Sequence, residues 1–319
     1  MRVHRLNWMV SASVALLVLA FGTVAMADSF GSGFNIDFVP ISGATNPTSG
    51  YGIVNHDYRM GTYEITNDQW NKFKTNLGVP VTGADGGYNN SSYYTCTSVP
   101  TDNVSWFEAA QFVNWLNTST NHQAAYKFNG TQGTPDYTFA TWSASDAADG
   151  TNLYRNKNAF YYLPTENEWV KAAYWNDTAL QTYATVGDVL PAQGNGTSWS
   201  GWNYWDNGHA TNPAGPWNIG SGSEELKGTY DMMGNVFEWM ESPWTSGDYN
   251  ASSSRGLRAG DWCSARDFCD LAASSHDYYD PSVEGSYLGF RVGSVPEPDS
   301  TTLLVCSAIA ALILWRRRK

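Results

Sequence analysis

The chain has 319 residues and a formal charge of −12, and its 15 tryptophans, 19 tyrosines and 30 glycines describe an aromatic, turn-rich body. Six of the 18 lysines and arginines lie in the two end segments against two of the 30 acids, leaving 12 bases and 28 acids, a charge of −16, over residues 28–295. That charge repels nucleic acid and anionic lipid and favours solubility or cation binding, while heptads and fixed-period repeats are absent.

In chain order, residues 1–27 read as a secretory signal peptide. Arg2 and Arg5 form a basic start, Val10 to Val24 an apolar stretch, and Ala25-Met26-Ala27 a small-residue cleavage site before Asp28. Residues 28–51 read as an N-terminal lead-in to one domain over 52–293. Three short amphipathic helices are announced by capping boxes, in which a Ser or Thr and an acid or amide three residues on satisfy each other's backbone donors. The pairs are Thr66 with Gln69, opening a helix over 67–75, then Ser105 with Glu108, and Thr165 with Glu168. Brief strands are expected around 58–64, 235–240, 256–261 and 288–293. The stretches 82–95 and 187–223 are rich in Gly, Asn, Ser and Thr and read as long loops held by aromatics. The fold class is therefore α+β with much irregular structure.

Residues 295–319 form a separate unit. Val295-Pro296-Glu297-Pro298 precedes an apolar run over 303–315 and the basic cluster Arg316-Arg317-Arg318-Lys319. The run is short for a spanning helix, and the basic cluster would stay cytoplasmic. The three parts in this order resemble the PEP-CTERM sorting signal of Gram-negative bacteria. The resemblance implies transient inner-membrane association through 303–315, cutting by an exosortase, and release to the cell surface or extracellular matrix; a plain membrane anchor is the alternative.

Five stretches carry a second resemblance: "YEITNDQW", "NVSWFEAAQFVNWL", "YYLPTENEWVKAA", "YDMMGNVFEWM", and "RGLRAGDW" with "GFRV". Together they are similar to the formylglycine-generating enzyme, or sulfatase-modifying factor, family, which has a divergent C-type-lectin-like fold. The resemblance spans about 52–293. It implies a calcium site formed by Asp231, Gly234, Val236 and Glu238, the middle two through their carbonyls, with Asn203 in a second site. Hard oxygen donors on a tight turn are what calcium requires, although the same Gly-Asn turn serves equally as a capped structural turn.

Cys263 and Cys269 are the residues on which catalysis turns. From the residues alone they form a disulfide, a metal or redox pair, or unpaired thiols; an exported location permits the first. Oxidase members of the family hold copper(I) with two cysteines five apart and oxidise a client cysteine with oxygen, and two thiolates suit that soft ion. Here the spacing is six. Registering the family pattern on Gly260-Asp261-Trp262 places its first cysteine on Ser264 and its second on Cys269, so Cys263 sits one residue early. Along an extended segment that turns its side chain to the opposite face unless the chain bulges. Two further family positions, a serine and an asparagine, are Asp261 and Tyr287. Two functional readings follow: a copper-dependent oxidase of a protein cysteine using Cys269 and Cys263, or a non-catalytic, calcium-stabilised module whose loops bind a glycan or protein. No G-x-S-x-G elbow, H-E-x-x-H helix, P-loop or G-x-G-x-x-G supports another chemistry.

Overall fold

Alternation of apolar and polar side chains in "FNIDF" builds the first sheet. The computed structural model describes residues 26–296 apart from 32, 82–93, 95, 198–199, 206–213 and 264–269. Strand β1 (Met26–Phe30) pairs antiparallel with β2 (Phe34–Ile41), and β2 with β3 (Tyr58–Gly61). Phe34, Ile36 and Phe38 point into the core while Asn35 and Asp37 face out, the period of a half-buried strand. The stretch expected as a lead-in is thus two strands of the domain, and its Asp28 is buried in an ion pair with Arg59 at 2.6 Å.

All three expected helices are present with their capping boxes: α1 (Asn67–Leu77), α2 (Trp106–Ser119) and α3 (Glu166–Tyr174). Each N-cap side chain accepts from the backbone N–H three residues on, and the side chain of that same residue, Gln69, Glu108 or Glu168, accepts from the cap's own N–H. Between them lie β4 (Lys127–Asn129), β5 (Thr138–Ala140), β6 (Ala147–Ala148), β7 (Asn152–Asn156) and β8 (Tyr161–Tyr162). The final part supplies β9 (Phe237–Pro243), β10 (Arg255–Arg258), β11 (Asp277–Tyr279), β12 (Leu288–Gly289) and β13 (Gly293–Ser294).

The described structure is richer in strand than the sequence reading expected. One sheet runs β1-β2-β3-β13-β8, another β11-β10-β9-β12, and two hairpins, β4-β5 and β6-β7, stand apart. Strand β13 inserts between β3 and β8, so the end of the domain is stitched to its beginning. A side chain at Gly293 would meet the Tyr162 ring at 2.6 Å, which is why a glycine occupies the crossing.

Two buried clusters fill the interior. Trp70, Phe73, Trp106, Phe112 and Phe290 centre the larger, and Trp169, Tyr174, Met232 and Met240 the smaller. Buried indoles also pin loops: Trp106 Nε1 donates to the Met240 carbonyl at 3.0 Å and Trp239 Nε1 to that of Val104 at 2.7 Å. The polar interior is organised by arginine–carboxylate pairs, Arg155 with Glu168 and Glu241, Arg258 with Glu166, and Arg291 with Glu238.

The Arg291–Glu238 pair is fully buried at 2.6 Å. Removing one partner of such a pair leaves an uncompensated charge, at a cost of about 3–5 kcal/mol. Arg291→Leu is expected to lower unfolding stability in urea by that amount. Asp177→Asn, which breaks the more exposed pair with Lys227, is expected to stay within about 1 kcal/mol of the parent.

Candidate functional site

The loop from Asp231 to Glu238 is shaped by backbone that few residues tolerate. Asp231, Gly234 and Asn235 have φ of 61°, 88° and 65°, and a side chain at Gly234 would lie 2.2 Å from the Asn203 carbonyl oxygen. The close approach lets Asn235 N–H donate to that carbonyl at 2.8 Å. The Asn235 side chain bonds the Asn203 segment a second time and joins two further segments. Its Oδ1 accepts from Asn203 Nδ2 at 3.0 Å and from Trp217 N–H at 2.8 Å, while its Nδ2 donates to Glu64 Oε2 at 2.7 Å. Its carbonyl accepts from Trp262 N–H at 3.0 Å. The Gly234-Asn235 turn is readable from the sequence, whereas Glu64, inside the first quoted motif, carries no sequence signal of its own for this role.

Of the residues expected at calcium, Gly234 packs against the Asn203 carbonyl, Asp231 opens the same loop, and Glu238 meets an arginine and a tryptophan. Both Glu238 oxygens accept from Arg291, and one also accepts from Trp169 Nε1 at 2.8 Å. Val236 is fully buried, and its N–H donates to Glu64 Oε1 at 3.3 Å. Glu64, Glu225, Asp231 and Glu238 are all buried, and the arginine that acts on all four is Arg291. Burial, with repulsion from Asp231 and Glu238, holds the Glu64 carboxyl well above its usual range. Burial lifts Glu225 to about 8 and Asp231 to about 6, against the pull of Arg291. Asp231 Oδ2 accepts from Gly220 N–H at 3.2 Å. Among the described residues, no three His, Cys, Asp or Glu side chains gather into a metal-holding group.

The cysteine region follows β10. The strand expected over 256–261 ends at Arg258, because Ala259 and Gly260 adopt φ of 89° and 71°. Asp261 Oδ1 then accepts from Cys263 N–H at 2.6 Å, closing a tight Asx turn. The face-alternation reasoning applied to Cys263 therefore has no extended segment to act on. Cys263 is a free, half-buried cysteine. Burial and the buried Asp261 carboxylate push its thiol up to about 12. Nearby, burial and the Tyr279 hydroxyl raise the Tyr287 phenol, to which Asp261 and Cys263 also contribute, and Trp262 meets Tyr94 edge-on at 5.7 Å. Cys269 and Ser264 lie outside the described residues, and so does the copper(I) geometry expected of the Cys263–Cys269 pair.

With the capped helices, the closing strand and the Gly-Asn knot in place, the family comparison has a structural meaning. The model of the sulfatase-modifying factor enzyme 1-like domain matches residues 11–294. The chain belongs to the sulfatase-modifying factor family. It is also 24% identical over 308 residues to a protein named chaperone protein LppX from Paenibacillus barcinonensis, covering 90% of this chain and 98% of that one. Among solved structures, it is similar to Treponema denticola variable protein 1, with a TM-score of 0.60, 20% identity, and coverage of 86% and 100% of the two chains. CarF gives 0.59, 21%, and 82% and 99%. These two likenesses show the shared fold, C-type-lectin-like as the sequence led one to expect.

The buried acids set a pH dependence. Their folded pKa values lie above the usual carboxyl range, so their contribution is complete below about pH 4 and is lost as pH rises through about 6 for Asp231 and about 8 for Glu225. In melting measurements without calcium, Tm is expected to fall between pH 5 and 9, and Glu225→Gln to flatten the upper part of that fall. Added calcium is expected to restore Tm at pH 8 in the parent protein, and not in Asp231→Ala.

Proposed function

We propose that this chain is a non-catalytic member of its family, a calcium-stabilised binding module carried to the outside of a Gram-negative cell. The observation that supports this reading is the buried Asp261 carboxylate set directly against Cys263. A thiolate is the form that ligates copper(I) and attacks an oxidised partner, and a neighbouring anion opposes its formation. The residues at two further positions, Ser264 and Tyr287, lack the groups that the family's oxidases place there. The name of the LppX relative, a chaperone, agrees with a role in binding.

In this reading the ligand is a glycan or a protein, held by loops that the aromatic core and the arginine pairs keep in place. Calcium sits at Asp231 and the carbonyls of Gly234 and Val236, where it offsets buried negative charge. The tail over 295–319 serves as a membrane-associated sorting segment for an exosortase. Among the described residues no helix is long and apolar enough to cross a membrane.

The competing reading is a copper-dependent oxidase using Cys263 and Cys269. Titration of the reduced protein with copper(I), followed by incubation with a cysteine-containing peptide and oxygen, separates the two. We expect no tight one-to-one binding and no peptide aldehyde. Stoichiometric binding lost in both Cys263→Ser and Cys269→Ser, with oxygen-dependent aldehyde formation, would establish the oxidase.

A further inference from the structure

A second region, away from Cys263 and the Asp231 loop, has the form of a ligand site. A polar cleft of about 560 Å³ opens between the 53–56 loop, the β6-β7 hairpin and the start of α3. This is within the size range of small-molecule sites. Its rim includes Asn55, His56, Asp149, Asn167, Ser242 and Tyr249.

The floor is rigid and already satisfied. Arg155 donates from Nε to both Glu241 oxygens at 2.9 Å, and from its two terminal nitrogens to Glu168 at 2.9 and 2.7 Å. Tyr126 O–H donates to Glu241 at 2.7 Å, and Thr165 N–H and O–H both donate to Glu168 Oε2. Two carboxylates against one guanidinium leave surplus negative charge, to which Asp149 adds and which a protonated His56, 3.7 Å from Glu168, would only partly offset. A phosphate, sulfate or carboxylate ligand finds no unspent cation on that floor.

The rim offers uncharged donors and acceptors instead. Asn167 Oδ1 accepts from Gly52 N–H at 3.0 Å, which leaves its NH₂ for the cleft. Ser242 Oγ accepts from Glu166 N–H at 3.0 Å, which leaves its O–H. The Tyr249 ring is braced edge-on against buried Tyr154 at 4.8 Å and makes a firm aromatic wall with its hydroxyl available. Interspersed hydroxyl and amide groups around a fixed ring match a pyranose, which presents hydroxyls at its edge and C–H groups on its face.

We infer that this cleft binds a neutral saccharide of one or two rings. The inference rests on the binding-module reading and names glycan as its ligand class. The test is saturation-transfer NMR and titration of the exported protein with methyl glucoside, methyl mannoside, N-acetylglucosamine and cellobiose, with glucuronate and glucose 6-sulfate as anionic comparators. At least one neutral sugar is expected to bind, with each anionic comparator at least tenfold weaker. Asn167→Ala and Tyr249→Ala are each expected to weaken binding at least tenfold; Asn167 is exposed, so its variant reports on the cleft even if loss of Tyr249 disturbs folding. Absence of binding by all four neutral sugars, equal binding of an anionic comparator, or binding unchanged in Asn167→Ala would overturn the inference. A cleft that takes no sugar leaves the non-catalytic reading standing, whereas copper(I) binding through Cys263 and Cys269 would remove that reading without touching the cleft.

Discussion

The guanidinium of Arg291 is the joint on which the rest of the structure depends. It pairs with Glu238 in β9, and it also donates to the carbonyls of Gly61 at 3.1 Å and Tyr230 at 2.9 Å. Glu238 in turn accepts from Trp169 of α3. One buried pair therefore links the end of β3, the Asp231 loop, the central strand of the second sheet and a helix. A buried ion pair is weak evidence for net stability, because desolvation costs roughly what attraction returns. Its value here is positional: five planar donors find satisfied acceptors in one arrangement of the surrounding segments. Long irregular loops that carry little regular hydrogen bonding of their own are held in register by it.

The same economy of partners separates fold from chemistry. Asn235 satisfies the Asn203, Trp217, Glu64 and Trp262 segments whether or not any reaction takes place nearby. The knot and the capped helices are thus held by interactions separate from the cysteine region, where Asp261 has two effects. As a turn residue it closes the backbone over Cys263 well, and as an electrostatic neighbour it opposes thiolate formation. The fold is shared with Treponema denticola variable protein 1 and CarF at about one-fifth identity, and a fold does not by itself fix a function.

Much of the fold was legible wherever the deciding interaction is local. The three capping boxes each span three residues and were read directly as helix starts. The Gly234-Asn235 turn was legible too, since glycine and asparagine tolerate positive φ. Strands β1 and β2 were not recognised, although Phe34, Ile36 and Phe38 alternate with Asn35 and Asp37; their proximity to the apparent leader drew them into a lead-in. The end of β10 was misplaced by three residues because Ala259, which is not a turn-forming residue, takes φ of 89°. That displacement removed the basis for assigning a face to Cys263.

By itself, the sequence determined the family, the helix starts, the aromatic composition of the core and the acidic balance of residues 28–295, all of which depend on residue type and short spacing. Tertiary structure decided which charges meet. Arg291 and Glu238 are 53 positions apart, and Asn235 and Glu64 are 171 apart. Only chain closure brings such groups together, because several arginines and many carboxylates compete for each other in the unfolded chain and no local spacing ranks those pairings. It also decided that Glu238 meets Arg291, and that Arg155, Glu168 and Glu241 floor a cleft that no motif announced.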